Sequence, residues 1–248
     1  MAKRILAACA AAVLTLTASG GVKSVNPEFL KWRQEKNRAV KTEKPGNAAV
    51  SKRFAKTKEL GETGEEATAE LGYVPSVFDR AYLANVNSSQ PRGVRGVKPE
   101  RFDLRDGNLL TYVKDQNPYG TCWAHAAVAS LESFLLSDEK RDFDFSENNM
   151  ANLHGFDWAF DEGGNGDMAA AYLLRWAGPV LEEDDPYGRP GKSVCLAPVR
   201  HVQNIRWIPK RTFSLDLDNI KDALVRYGAV YATYWHSSAC YRAATAAY

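Results

Sequence analysis

Cysteine and histidine are scarce in this chain, four of each in 248 residues, so thiol or imidazole chemistry has few side chains to draw on. An excess of one charge is also missing. Thirty-two Lys and Arg against 30 Asp and Glu leave a net charge of +2, which supplies no electrostatic footprint for nucleic acid or an anionic surface, and no nucleic-acid partner is expected. There is no internal repeat, which argues against a solenoid. The apolar run at residues 5–17 is too short to span a bilayer comfortably. What remains is a composition that is 45% hydrophobic and includes six tryptophans, enough to bury one large or two small domains and to exclude a fibrous or wholly disordered chain.

The first twenty residues have the grammar of a secretory signal peptide: Lys3 and Arg4, the apolar stretch, then small residues at Ala18-Ser-Gly20. Leu6-Ala-Ala-Cys9 offers a competing lipoprotein cleavage box. The expected location is therefore secreted, periplasmic or at the cell surface, with no transmembrane segment after cleavage. Removal of the leader leaves Cys122, Cys195 and Cys240. An odd number in an oxidising compartment leaves one thiol free or paired to another molecule; Cys122 is favoured as free, with a bridge between Cys195 and Cys240 as a possibility.

Residues 21–99 differ in composition from the chain beyond them and are assigned as a prosegment and linker. Asn26-Pro27-Glu28 is a helix opening, with a capping side chain, a first-turn proline and an acid at the positive helix end. Residues 31–58 then hold ten basic residues and two acids, and residues 59–70 five acids and no base, a segregation that usually makes solvated helix or linker. Residues 73–83 are apolar enough to pack against a neighbour, and residues 87–96 read as an exposed loop open to a peptidase.

The dense part starts near Arg101. Ala124, Val128, Leu131 and Leu135, widened by Ala127 and Phe134, form the apolar stripe of a helix opening at Cys122, with Thr121 as its cap. Ser146-Glu147 opens a short helix toward Leu153. Asp167 caps a third, residues 168–177, stopped by Gly178-Pro179. A fourth spans residues 218–227 and ends at Gly228, and residues 229–235 have the β-branched and aromatic content of a strand.

Within this frame Gln116 stands six residues ahead of Cys122, at the mouth of the first of these helices. A free thiol has a pKa of roughly 8.5, lowered at a helix N-terminus or beside an imidazolium. If its thiolate adds to a peptide carbonyl, the Cys122 N–H and the Gln116 carboxamide are the donors available to the oxyanion, and loss of one such donor costs on the order of 3 kcal/mol.

The segment Val113-Lys-Asp-Gln116-Asn-Pro-Tyr-Gly-Thr-Cys122-Trp-Ala-His-Ala-Ala-Val resembles the active-site segment of papain-like cysteine peptidases, of a bacterial secreted type. Phe102-Asp-Leu-Arg-Asp resembles the start of their mature domain. Further pieces come in the family's order: Phe145-Ser-Glu-Asn-Asn-Met, Gly163-Gly-Asn-Gly-Asp, Asp184-Asp-Pro-Tyr187 and Val225-Arg-Tyr-Gly-Ala-Val. The resemblance implies an α+β, papain-like fold over residues 100–248, with the helical domain complete and the β-barrel domain only begun. It implies Cys122 as nucleophile and Gln116 as oxyanion-hole side chain. It also implies a substrate-binding role for Asn165, Gly166 and Asp167, with Trp123 packed behind the cleft. The substrate is a polypeptide, the chain a monomer, and no cofactor or metal is expected.

Departures from the family pattern carry information of their own. Tyr119 replaces its cysteine three residues before the nucleophile and Gly164 replaces that cysteine's usual partner, so both halves of a bridge are absent together. Leu153 stands where another half-cystine is common, which leaves Cys195 without its family partner. Asp167 stands where the family usually has glycine. The prosegment lacks the inhibitor signature of plant and animal relatives, and Gly72-Tyr-Val-Pro-Ser is closer to bacterial secreted members.

Such chemistry also needs an imidazole to take the thiol proton and an asparagine to orient it. His125 is expected to pack into the core, His154 and His201 to be ordinary surface or satisfied residues, and His236 lacks the neighbours that embed the family's base. The expectation is a chain that stops before its catalytic histidine and asparagine and is largely inactive as it stands. Two other functions compete. An acyltransferase of the transglutaminase kind would pass the acyl group to an amine, and a non-catalytic peptide-binding protein would keep the cleft without reacting with an epoxide inhibitor.

Overall fold

The structure, a computed structural model, describes residues 25–42, 74–80, 99–208, 211, 213–234 and 242, with side chains in the first segment to residue 36. The leader with Cys9, the charge blocks beyond residue 42, the loop at 87–96, Trp235, His236 and Cys240 lie outside the described residues.

Helix α1 (Pro27–Thr42) opens as its sequence dictates, the Glu28 N–H donating to Asn26 Oδ1 at 3.0 Å. The body of the molecule is organised on α2 (Cys122–Glu139), against which α3 (Glu147–Leu153), α4 (Gly166–Leu174) and α5 (Asp218–Tyr227) all pack. No described helix is long and apolar enough to cross a membrane. Ala124, Ala127, Val128 and Leu135 are buried along α2 and meet Met150, Met168, Tyr172 and Phe145, while Phe134 at the stripe's edge reaches Tyr227 on α5. The predicted apolar face is thus the core face.

Two serine and asparagine caps set the next helices. Ser146 Oγ accepts from the Asn149 N–H at 3.0 Å and donates to Asp185 O at 2.6 Å, joining the start of α3 to a distant loop. At α4 the cap is Asn165, whose Oδ1 accepts from the Asp167 and Met168 N–H groups at 2.9 and 3.1 Å. The helix therefore begins two residues earlier than an Asp167 cap would require and ends at Leu174, short of Gly178-Pro179. Thr121 does not cap α2: it is fully buried and its hydroxyl is spent on Tyr187.

The strand expected at residues 229–235 is absent among the described residues 229–234. Its first backbone groups are captured by side chains of α2, with the Ala229 N–H donating to Ser133 Oγ at 2.9 Å and Ser130 Oγ donating to Ala229 O at 2.7 Å. Two isolated bridges join described residues, Val25 with Phe78 and Phe145 with Leu181, and Gly164 and Arg242 are bridge residues as well.

One buried ionic cluster ties the loop before α2 to the helices. Lys114 Nζ lies 3.3 Å from Glu132, 2.8 Å from Asp144 and 3.0 Å from Glu147, and donates to Phe145 O at 2.7 Å. Glu132 also accepts from the Phe145 N–H at 2.8 Å and from Thr111 at 2.6 Å, so its buried carboxylate is well provided with donors. Burial pushes Glu147 up to about 7, with Lys114 pulling against it. Burial likewise opposes the Lys114 charge, but Glu147, Asp144 and Glu132 outweigh it and hold the ammonium well above the ordinary lysine range.

Candidate active site

Cys122 occupies the first position of α2, half-buried. The segment that delivers it is a tight turn: the Tyr119 N–H donates to Gln116 O at 3.0 Å and Gln116 Nε2 returns to Tyr119 O at 2.9 Å. Tyr187 fastens both ends of this turn, its hydroxyl donating to Gln116 O at 2.6 Å and meeting Thr121 Oγ1 at 2.5 Å. Burial pushes the Tyr187 phenol up to about 12, which keeps it a protonated donor. Asp161 takes the Gly120 N–H at 2.6 Å. Gln116 and the residue next to Cys122 are thereby brought to one phenol, and the carboxamide spends one of its two N–H donors on the turn.

The turn-residue role of Gln116 is therefore real and leaves its second donor for another acceptor. Sequence reasoning missed the parts played by Tyr187, Asp161 and Lys114. Tyr187 sits inside a recognised motif, but its partner across 71 residues is a product of the fold.

Burial raises the Cys122 pKa above the ordinary thiol value, and the Trp123 and Cys122 backbone N–H groups pull it back only in part. The helix terminus acts in the expected direction and loses to desolvation. His125, half-buried on α2, has Nδ1 3.1 Å from Thr121 O and packs edge-on to the Tyr187 ring at 4.8 Å. His154 is buried, accepts the Phe156 N–H at 3.0 Å and packs against Trp123, a satisfied core histidine rather than a surface one. Desolvation lowers the pKa of both rings. His201 is exposed and stacks on Trp176. Cys195 is exposed and in no disulfide.

The residues that stand in for the absent bridge are aromatic. Tyr119 packs edge-on to Phe160 at 5.1 Å and to Tyr187 at 6.2 Å, which holds the turn by ring contact. Trp123, 2% exposed, lies flat behind residue 164, where a Cβ would stand 2.5 Å from its indole. Only glycine fits at 164 in this arrangement, and Trp123 backs the site without lining it.

In front of Trp123 runs the strip of residues 164–167. Asn165 is buried and committed to capping α4; Gly166 lies beneath the rings of Trp207 and Tyr231. The strip is already in contact with the N-terminal segment. The Val74 N–H donates to Gly164 O at 2.9 Å, Asn165 Nδ2 donates to Pro75 O at 3.4 Å, and Ser76 Oγ and the Arg80 guanidinium both reach the Asp167 carboxylate. Val74 is 3% exposed, so the segment is seated against the strip and not merely near it.

Known proteins carry the same pattern. The model of the papain family of cysteine proteases matches residues 98–244. A viral cathepsin of Adoxophyes honmai nucleopolyhedrovirus is 30% identical over 145 residues, 58% of this chain and 42% of the relative. A low-temperature-induced cysteine proteinase of Solanum lycopersicum is 35% identical over 100 residues, 39% of this chain and 28% of the relative. Among solved structures, the bromelain protease from Ananas comosus in complex with the E64 inhibitor is 30% identical, covering 40% of this chain and 45% of that one with a TM-score of 0.35. The chain spans less than half the length of these curated relatives. With well over half of its residues matched by the family model, the chain belongs to the papain family of cysteine proteases and to its α+β, papain-like fold class.

Proposed function

We propose that the chain is an exported thiol endopeptidase in which Cys122 is the nucleophile. The observation that carries this reading is the Gln116 turn, clamped by Tyr187 to Thr121, the residue before Cys122 at the start of α2. The Cys122 sulfur adds to the scissile carbonyl, and its backbone N–H with the second donor of Gln116 holds the developing oxyanion. The thiol proton passes to water as the sulfur adds, collapse breaks the C–N bond and expels the amine with a proton returned by water, and water then hydrolyses the thioester to the acid and restores the thiol. Substrate backbone lies along residues 164–167, the strip now paired with residues 74–76.

Residues 21–99 act as a prosegment whose residues 74–80, seated on that strip, compete with substrate for it. The leader directs export. We also infer that turnover by this 248-residue chain is slow near neutral pH. Burial keeps Cys122 protonated, and of the described histidines His154 packs in the core, His125 meets Thr121 O and His201 lies exposed against Trp176.

Hydrolysis of a fluorogenic peptide tests this account. The expected signal is close to that of the Cys122→Ala variant at pH 7. Brisk hydrolysis that vanishes in Cys122→Ala and persists in His236→Ala would contradict slow turnover and demand a base elsewhere. Transfer of the acyl group to an added amine in preference to water would replace the peptidase reading with acyl transfer.

A further inference from the structure

Asp167 is the residue of the strip that hydrogen bonding within the fold explains least. Its place in the first turn of α4 suits an acid, since a carboxylate is stabilised at a helix N-terminus. That accounts for the charge and not for what surrounds it. The cap is made by Asn165, so the carboxylate is left to face outward over the strip, with its side chain 11% exposed. There its Oδ1 holds Arg80 Nη2 in an ion pair while its Oδ2 accepts from Ser76 Oγ, which also accepts from Arg80 Nη1 at 2.9 Å, and the same guanidinium lies 3.8 Å from the centre of the Trp207 ring. Trp207 in turn covers Gly166, the neighbouring residue of the strip, together with Tyr231.

These are the parts of an arginine-binding site: a carboxylate that takes a guanidinium N–H, an aromatic face for the planar cation, and a glycine floor beneath the ring. Arg80 occupies it from a segment that also meets the strip through main-chain bonds, as an extended peptide would. We infer that Asp167 and Trp207 form a guanidinium pocket on the substrate strip, and that the protein selects polypeptides presenting an arginine to it, in the place Arg80 fills. The inference rests on the peptidase reading only in taking residues 164–167 as the path of the substrate. Lysine is accepted less well, because an ammonium has no planar face to lay on the indole as the Arg80 guanidinium does.

Binding of unreactive peptides tests the pocket without relying on thiol chemistry. The full chain carrying Arg80→Ala, which removes the guanidinium and leaves Asp167 Oδ1 open with Ser76 on Oδ2, is titrated against fluorescein-labelled pentapeptides of alanine with a central arginine, lysine or citrulline, read by anisotropy. Citrulline keeps the shape of arginine and removes its charge. The arginine peptide is expected to bind about tenfold or more tightly than the citrulline peptide, with lysine between, and the unsubstituted chain to bind all three weakly. Adding Asp167→Asn, which leaves the Asn165 cap in place, should erase the difference, and adding Trp207→Ala should shrink it. Equal affinity of the Arg80→Ala chain for the arginine and citrulline peptides would overturn the pocket, whatever the two further variants do. The peptidase reading fails by a separate sign, absence of a peptidyl-epoxide adduct on Cys122, and an arginine preference without such an adduct would support the pocket while rejecting that reading.

Discussion

A thiol at the first turn of a helix receives backbone N–H groups that favour its anion, yet at Cys122 burial is the larger influence and the net shift is upward. A raised pKa means that thiolate accumulates only as pH climbs past the ordinary cysteine range of roughly 8.5. Alkylation of Cys122 by iodoacetamide, followed by peptide mass mapping across pH 6 to 10, is therefore expected to rise with a midpoint above that value; a midpoint below 7 would show an activated thiolate. Gly164 gives a second prediction at this scale. Its Cβ would stand 2.5 Å from the Trp123 indole, which is itself 2% exposed and backed by His154, so neither partner can move cheaply. Gly164→Ala should lower stability by about 1–3 kcal/mol, the usual cost of overpacking, with a change in tryptophan fluorescence.

Helix starts show how local chemistry and tertiary demand divide the work. Ser146 both caps α3 and donates to Asp185 O, so Ser146→Ala should cost about 1 kcal/mol or somewhat more in urea unfolding. Such caps are legible where the residue has no better offer. Asn26, Ser146 and the limits of α5 agree with the sequence pattern, and the apolar stripe of α2 is the core face. Thr121 departs from the capping role its position suggests because Tyr187, 66 residues away, takes its hydroxyl. The start of α4 differs because two capping residues, Asn165 and Asp167, lie in tandem and the first one wins; the second is thereby released to meet Arg80. Among the described residues 229–234 the expected strand is missing, since β-propensity describes a residue's fit to a sheet and the backbone of Ala229 bonds serines of α2 instead. The candidate site residues come from the family resemblance of their motifs, whereas Tyr187, Asp161 and Lys114, which hold the loop and turn before α2, do so by joining elements far apart in the chain.

Across the whole molecule, the Lys114 cluster links stability to pH. Glu147 has a folded pKa of about 7 against 4.5 for the ordinary group, because burial disfavours its charge. The folded state then holds this proton more tightly than the unfolded chain. Its contribution is complete below about 4.5 and is lost as pH rises through about 7. His125 and His154, lowered by burial, act with the opposite sign, their contribution fading as pH falls. Comparison of Glu147→Gln with the unsubstituted chain isolates the carboxyl: the urea midpoint of the variant should decline less between pH 5 and pH 8. An equal or steeper decline would mean that Glu147 is ionised throughout and paired with Lys114.

The same fold sets a turn at the helix start that carries the thiol and packs the glycine strip against the neighbouring Trp123, and the decisive question is whether that thiol recognises a peptide. A peptidyl epoxysuccinate incubated with the reduced full chain and followed by intact mass and peptide mapping answers it. The account predicts a single adduct on Cys122, absent from Cys122→Ala, with the exposed Cys195 unmodified. An adduct on Cys195 with Cys122 untouched, under conditions where iodoacetamide alkylates Cys122, would contradict it.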